Sequence, residues 1–233
     1  MTSTKRVGQA VGWMLLVQMT LAPIVYFRMM TPLAPPEGIL NAAPFVPQLR
    51  LAGVLGLLPG LLSLAVAVTV LPVLRQRSER MAFAYLALCT LGVATLAAET
   101  VSMRGMLALS LEYAKAASPR EWLETLRPMV RQAWLDAHFT NLVLAHCTVL
   151  LFGLLLFRFR LVPRLLAGLS IAASVVSMST VAMPLLGYPF SFRGIMPMAM
   201  VELAVVAWLI IRGFDGRTHA APGESASPIL ART

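Results

Sequence analysis

The feature that most constrains this chain is where its charges fall between long apolar runs. Runs near residues 7–27, 50–74, 81–103, 135–157, 165–187 and 196–212 each approach the length a helix needs to cross ~30 Å of hydrocarbon at ~1.5 Å per residue. Lys5 and Arg6 precede the first run. Arg75, Arg77 and Arg80 fill the turn after the second, and Arg158, Arg160 and Arg164 the turn after the fourth. Arg212 and Arg217 follow the last run. These four basic segments fall on one side of a six-span arrangement, and the positive-inside rule makes that side cytoplasmic. The expected fold is all-α: a polytopic membrane protein with six transmembrane helices in residues 1–212, both termini in the cytoplasm.

Composition agrees with this and excludes other classes. Of the 233 residues, 58% are hydrophobic and only 12% charged, outside the range of a soluble domain. The net charge of +9 sits in short loops beside span ends, not in a Lys/Arg-rich tract, so anionic lipid headgroups explain it and nucleic acid does not. Cys89 and Cys147 both lie inside runs and read as small apolar packing residues, not as a disulfide. The fourteen methionines are scattered over loops and runs, as gap-fillers between helices are. The basic start and first run look like the beginning of a signal peptide, but the run continues through Leu21 to Phe27 without a small-residue cleavage site; a retained first span is expected. The stretch from Gly213, with Gly216, Pro222, Gly223, Ser225, Ser227 and Pro228, is expected to be a disordered cytoplasmic tail over 213–233.

Two connections on the opposite side are long. Pro32, Pro35, Pro36, Pro44 and Pro47 remove helical donors, so residues 31–48 are expected to form an extended loop outside any span. Ser118, Pro119 and Glu121 read as a helix start, and Trp122, Leu126, Met129, Ala133 and Trp134 recur behind it at helical spacing. This predicts a surface helix, bent at Pro128, lying in the headgroup layer with its tryptophans as anchors, or else a soluble cap on the span ends.

Inside the runs, Gly53, Gly56, Gly60 and Ser63 align at three- and four-residue spacing, as do Ser170, Ser174 and Ser177. Small residues at that spacing let helices approach closely. Arg50-Leu51-Ala52-Gly53 and Arg164-Leu165-Leu166-Ala167-Gly168 open the second and fifth runs alike, a hint of the inverted repeat that many transporters carry.

The Arg50–Gly53 opening, a His-bearing fourth run, the turn from Arg158 through Pro163 to Gly168, and the ending from Glu202 through Trp208 to Gly213 together resemble the bacterial multipass family catalogued as domain of unknown function 4386. The resemblance covers roughly residues 50–213. It implies a bacterial multipass protein, here expected in the inner membrane, and it supplies no activity, catalytic residue or cofactor to carry over.

Ionisable groups within spans are the default functional candidates, because a carboxylate near the bilayer centre costs at least ~2.5–3.5 kcal/mol unless paired, hydrated or protonated. The chain has few: Glu99, His138, His146 and Glu202, with Asn141 beside the histidines and Arg104 and Asp136 at the membrane edge. His138 and His146 lie about 80° apart around one helix, on broadly one face. These residues are the candidates for one polar site open to the outer side, a hypothesis in which Glu202 and His146 serve it together and Glu202 can protonate in a working cycle. The plainer alternative satisfies each alone: Glu99 through Arg104 or a serine of the fifth run, His138 through headgroups, Glu202 through a helix neighbour. No HExxH pair, catalytic motif or cofactor motif is present, and metal occupancy is not specified. The favoured function is a small-solute or proton-coupled carrier; a structural or sensory membrane subunit and an intramembrane metal-dependent enzyme are the alternatives. The lipid bilayer is the one partner implied, while the small-molecule ligand, a membrane partner and a homo-oligomer are left unspecified.

Overall fold

A computed structural model describes residues 3–33, 38, 42–115 and 121–215. Six helical spans, Thr4–Met29, Ala43–Arg75, Glu79–Lys115, Glu121–Arg158, Arg164–Leu186 and Phe192–Arg212, are each long and apolar enough to cross a membrane. Among the described residues there is no strand. The chain is an all-α integral membrane protein. Each span packs against its neighbours in the chain, and the sixth packs against the first, so the six close into a ring. With an even number of spans, Ser3 and Asp215 end on one face, called here the terminal face. Spans three and four project beyond the other, the hairpin face.

The ring closes tightly at the terminal face. Gln9 Nε2 donates to the Ile210 carbonyl at 3.1 Å. A methyl group on Gly12 would lie 2.8 Å from the Ile210 nitrogen, and one on Gly8 would overlap the Phe214 nitrogen; only glycines permit this approach of span one to span six. Gly213 adopts φ +71°, which turns the chain so that Phe214 is buried and the Asp215 N–H donates to the Leu161 carbonyl at 2.9 Å. On the facing turn, Leu161 N–H donates to Leu156 O at 3.0 Å with Arg160 at φ 50°, a left-handed helix stop that tucks Leu161 and Val162 into the core. Arg77 Nη1 donates to the Phe159 carbonyl at 2.9 Å. Gly213–Asp215, the start of the stretch read as a tail, are therefore docked on the fourth-to-fifth turn, and residues 216–233 lie outside the described residues. A dry core of Val66, Val70, Leu74, Leu155, Leu156 and Leu209 fills this half, with Tyr85 stacked on Phe152.

The hairpin half departs from the sequence expectations in two places. The segment read as a surface helix is continuous with span four, one helix of 38 residues with Pro128 inside it, roughly 57 Å long at helical rise. Its apolar stripe has a protein partner, which agrees with the alternative of a cap packed on the span ends rather than with a separate surface helix. Leu123 is buried with Met103, Met106 and Leu109 of the equally extended span three, and Val130 and Trp134 pack against them. Trp122 is left 55% exposed. Ser118, Pro119 and Arg120 of the proposed helix start lie outside the described residues. The proline-rich connection is also not extended throughout: Thr31–Leu33 and Ala43–Phe45 form 3-10 turns, and helix begins at Val46 with Pro47 in its first turn, where a missing N–H costs nothing.

Two spans are irregular at one depth. Span one passes into a π-helical turn at Val25–Met29 just after Pro23. Span two is divided into Val46–Leu55 and Leu58–Arg75, since Pro59 has no N–H to give to Leu55.

Candidate functional site

Glu99 is the hub of a hydrogen-bonded network at the hairpin end of the ring. It lies twenty residues from Glu79, about 30 Å along span three from the terminal face. Its carboxylate accepts at Oε1 from the Tyr26 hydroxyl at 2.6 Å and from His138 Nδ1 at 2.8 Å, and at Oε2 from Asn141 Nδ2 at 2.9 Å. Thr95 Oγ1 lies 3.1 Å from Asn141 Oδ1. The π-helical turn, which adds one residue to the helix circuit, lies where Tyr26 reaches Glu99. His138 is held between two rings, stacked on Trp134 at 5.3 Å and tilted against Tyr26 at 5.1 Å. A buried carboxylate with three donors is fully satisfied, and such a network is rigid.

Beneath this network the ring is hollow. A cavity of about 290 Å³ lies inside it, lined by residues of all six spans. Tyr26 and Asn141 belong to both the network and the cavity wall. The irregular stretch of span two lines it through Gly56, Pro59 and Gly60. Glu202 lines it from span six, ten residues or about 15 Å from Arg212, near the middle of the membrane. Its carboxylate has no hydrogen-bond or ionic partner among the described residues. Gln18 lines the cavity from span one, and its buried Oε1 is also without a partner. Register puts the two together: spans one and six run antiparallel with Gln9 opposite Ile210 and Gly12 opposite Leu209, which brings Gln18 level with Glu202.

His146 also lines the cavity, with both ring nitrogens already engaged. Nδ1 donates to the Leu142 carbonyl at 2.7 Å, which leaves Nε2 to accept from the Ser177 hydroxyl at 2.8 Å. Ser177 is a member of the small-residue stripe, and its neighbour Ser174 donates to the Ser170 carbonyl at 2.7 Å.

The residues singled out from the sequence thus divide between two levels. Glu99, His138 and Asn141 are joined directly; His146 and Glu202 share the cavity below, with Asn141 reaching it as well. His138 and His146 share a helix but point to different neighbours, one to span three and one to span five. Arg104, the suggested partner of Glu99, is exposed, and Asp136 accepts instead from Gln132 at 2.7 Å. Among the described residues no group of three His, Cys, Asp or Glu side chains is close enough together to hold a metal ion. Cys89 and Cys147 are free thiols. Tyr26, Gln18 and Thr95 escaped the sequence reading because it searched the spans for charge; uncharged polar groups in an apolar run were the available signal.

The family comparison can be set against this geometry. No curated protein and no solved structure matches the chain. The model described as "Domain of unknown function (DUF4386)" matches residues 10–213, so the likeness extends forty residues further toward the N-terminus than the quoted motifs, and it takes in Gln18 and Tyr26. The Arg158–Gly168 turn meets the residues just past the Glu202–Gly213 ending, where the Asp215 N–H donates to the Leu161 carbonyl. The chain belongs to the family of domain of unknown function 4386.

Proposed function

We propose that this protein is a small-solute carrier whose substrate occupies the cavity at the centre of the ring, in contact with Glu202. The observation that carries this reading is an unpartnered carboxylate facing a cavity at mid-membrane depth. A chain with only a structural role has no use for that group, given its cost of at least ~2.5 kcal/mol. The position of the helix irregularities supports the same reading. The π-helical turn and the break at Gly56–Leu57 both border the cavity, as irregular backbone borders the sites of many carriers. The Glu99 network then acts as the gate between cavity and hairpin face, since Tyr26 and Asn141 stand in both. The basic turns orient the terminal face to the cytoplasm, and reporter fusions after Arg80 and Arg160 should both read as cytoplasmic.

The test is uptake into liposomes containing the purified protein, with cationic, zwitterionic, neutral and anionic solutes compared and an entrapped pH dye recording proton movement. One class should accumulate, and Glu202→Gln should abolish its uptake while the protein remains monodisperse. Uptake by Glu202→Gln at the wild-type rate would remove the cavity from the mechanism and favour a structural subunit.

A further inference from the structure

The formal charge that the described lining offers the cavity has one sign. Glu202 offers a carboxylate without a partner, and level with it Gln18 offers an amide oxygen without a donor. Gln18 Oε1 is buried, so the amide must turn for that oxygen to face the cavity. Several donors in the wall are already used: the Tyr26 hydroxyl and Asn141 Nδ2 by Glu99, His146 Nδ1 by Leu142, and Thr148 by Leu144. None of the described lining residues is Lys or Arg. The wall also includes Ser63, Tyr85, Cys89 and Ser170, and the remainder is largely apolar side chain, with Leu96, Val149, Phe152 and Val205 among it.

We infer that the cavity binds an organic monocation, an ammonium group on a compact apolar body, with the ammonium donating to Glu202 and Gln18. An anion would face the Glu202 carboxylate with no compensating cation. A neutral solute would leave the Glu202 carboxylate without a counter-charge, and a bare metal ion would meet too few oxygens. Size narrows the class further. Benzene occupies an apolar cavity of about 150 Å³, so a cavity of about 290 Å³ suits roughly twelve non-hydrogen atoms by the same scale. A phenylalkyl amine meets both requirements. This inference rests on the carrier reading for its biological sense but not for its chemistry, which concerns binding alone.

The experiment is equilibrium binding of radiolabelled 3-phenylpropylamine to the full chain in lipid nanodiscs, with empty nanodiscs as baseline. The neutral 3-phenylpropanol and the anionic 3-phenylpropionate serve as competitors. Saturable binding of one amine per chain is expected, with neither competitor displacing it. Glu202→Gln should weaken it at least about tenfold, the loss of one charge-assisted contact, whereas Glu202→Asp should retain most of it. Displacement by the alcohol as readily as by unlabelled amine would overturn the inference without any variant. So would absence of saturable binding, or binding unchanged in Glu202→Gln. Saturable amine binding without amine uptake in liposomes would sink the carrier reading and leave the cation site standing. Glu202-dependent uptake restricted to neutral or acidic solutes would do the reverse.

Discussion

The two halves of the ring use similar apolar sequence for opposite ends. In the terminal half, Leu74, Leu155, Leu156 and Leu209 are buried without residual exposure beyond 1%, and the near ends of spans one and six are held together by Gly8, Gly213 and the Leu161 turn. Toward the hairpin face, a carboxylate network sits above a cavity whose wall reaches down to Tyr85 and Phe152 of that core. A membrane protein gains nothing from hiding apolar residues from lipid, so its packed regions are held by close contact and hydrogen bonds. A hollow in such a ring is a local loss of contact with no compensating burial. Under the proposed carrier role, the packed core serves stability and the hollow beside it serves the solute.

That division is easiest to break where packing is densest. Leu155→Ala, in the dry core, should lower resistance to thermal denaturation in detergent by the equivalent of about 3 kcal/mol, and should reduce transport only through loss of folded protein. Glu99→Ala should come next, at about 2 kcal/mol, because it leaves the Tyr26 hydroxyl, His138 and Asn141 without their acceptor; infrared or NMR signals of His138 should change while those of His146 do not. A loss at Glu99 exceeding that at Leu155 would mean that the network, not the terminal core, holds the ring together. Glu202→Gln should have the smallest effect on stability, within about 0.5 kcal/mol of zero or slightly stabilising, since it removes an unpaired charge. A marked destabilisation would show that Glu202 has a structural partner, and the contrast between halves would lose its meaning.

The positions of these groups explain what the sequence disclosed. Span number and the face shared by the basic turns were legible because hydrophobic length and arginine placement are one-dimensional signals. The union of the 121–134 segment with span four was not, since an apolar stripe looks the same whether it faces headgroups or Met103, Met106 and Leu109. Glu99, His138 and Asn141 were legible as intramembrane polar residues, but their joining depends on two spans meeting at one level. The separation of His138 from His146 was hidden for a related reason. An offset of about 80° is small on a helical wheel, yet it is enough to reach different neighbours in a ring. Gln18 required knowledge of the register between the first and last spans, which Gly8, Gly12 and Gly213 fix through backbone contact and which no local pattern announces.

The ring is open from Glu202 to Val205 and closed at Leu209, one turn beyond Val205, and paired cysteines on one face of span six test this directly. Val205 and Leu209, four residues apart, both belong to the buried core, but only Val205 lines the cavity. In a background lacking Cys89 and Cys147, Val205→Cys should react with a small cationic methanethiosulfonate in proteoliposomes, more slowly with its anionic counterpart, and be protected by 3-phenylpropylamine. Leu209→Cys should stay unmodified over the same period. Equal reactivity at the two positions, or none at either, would contradict a solute-accessible cavity at the centre of the ring.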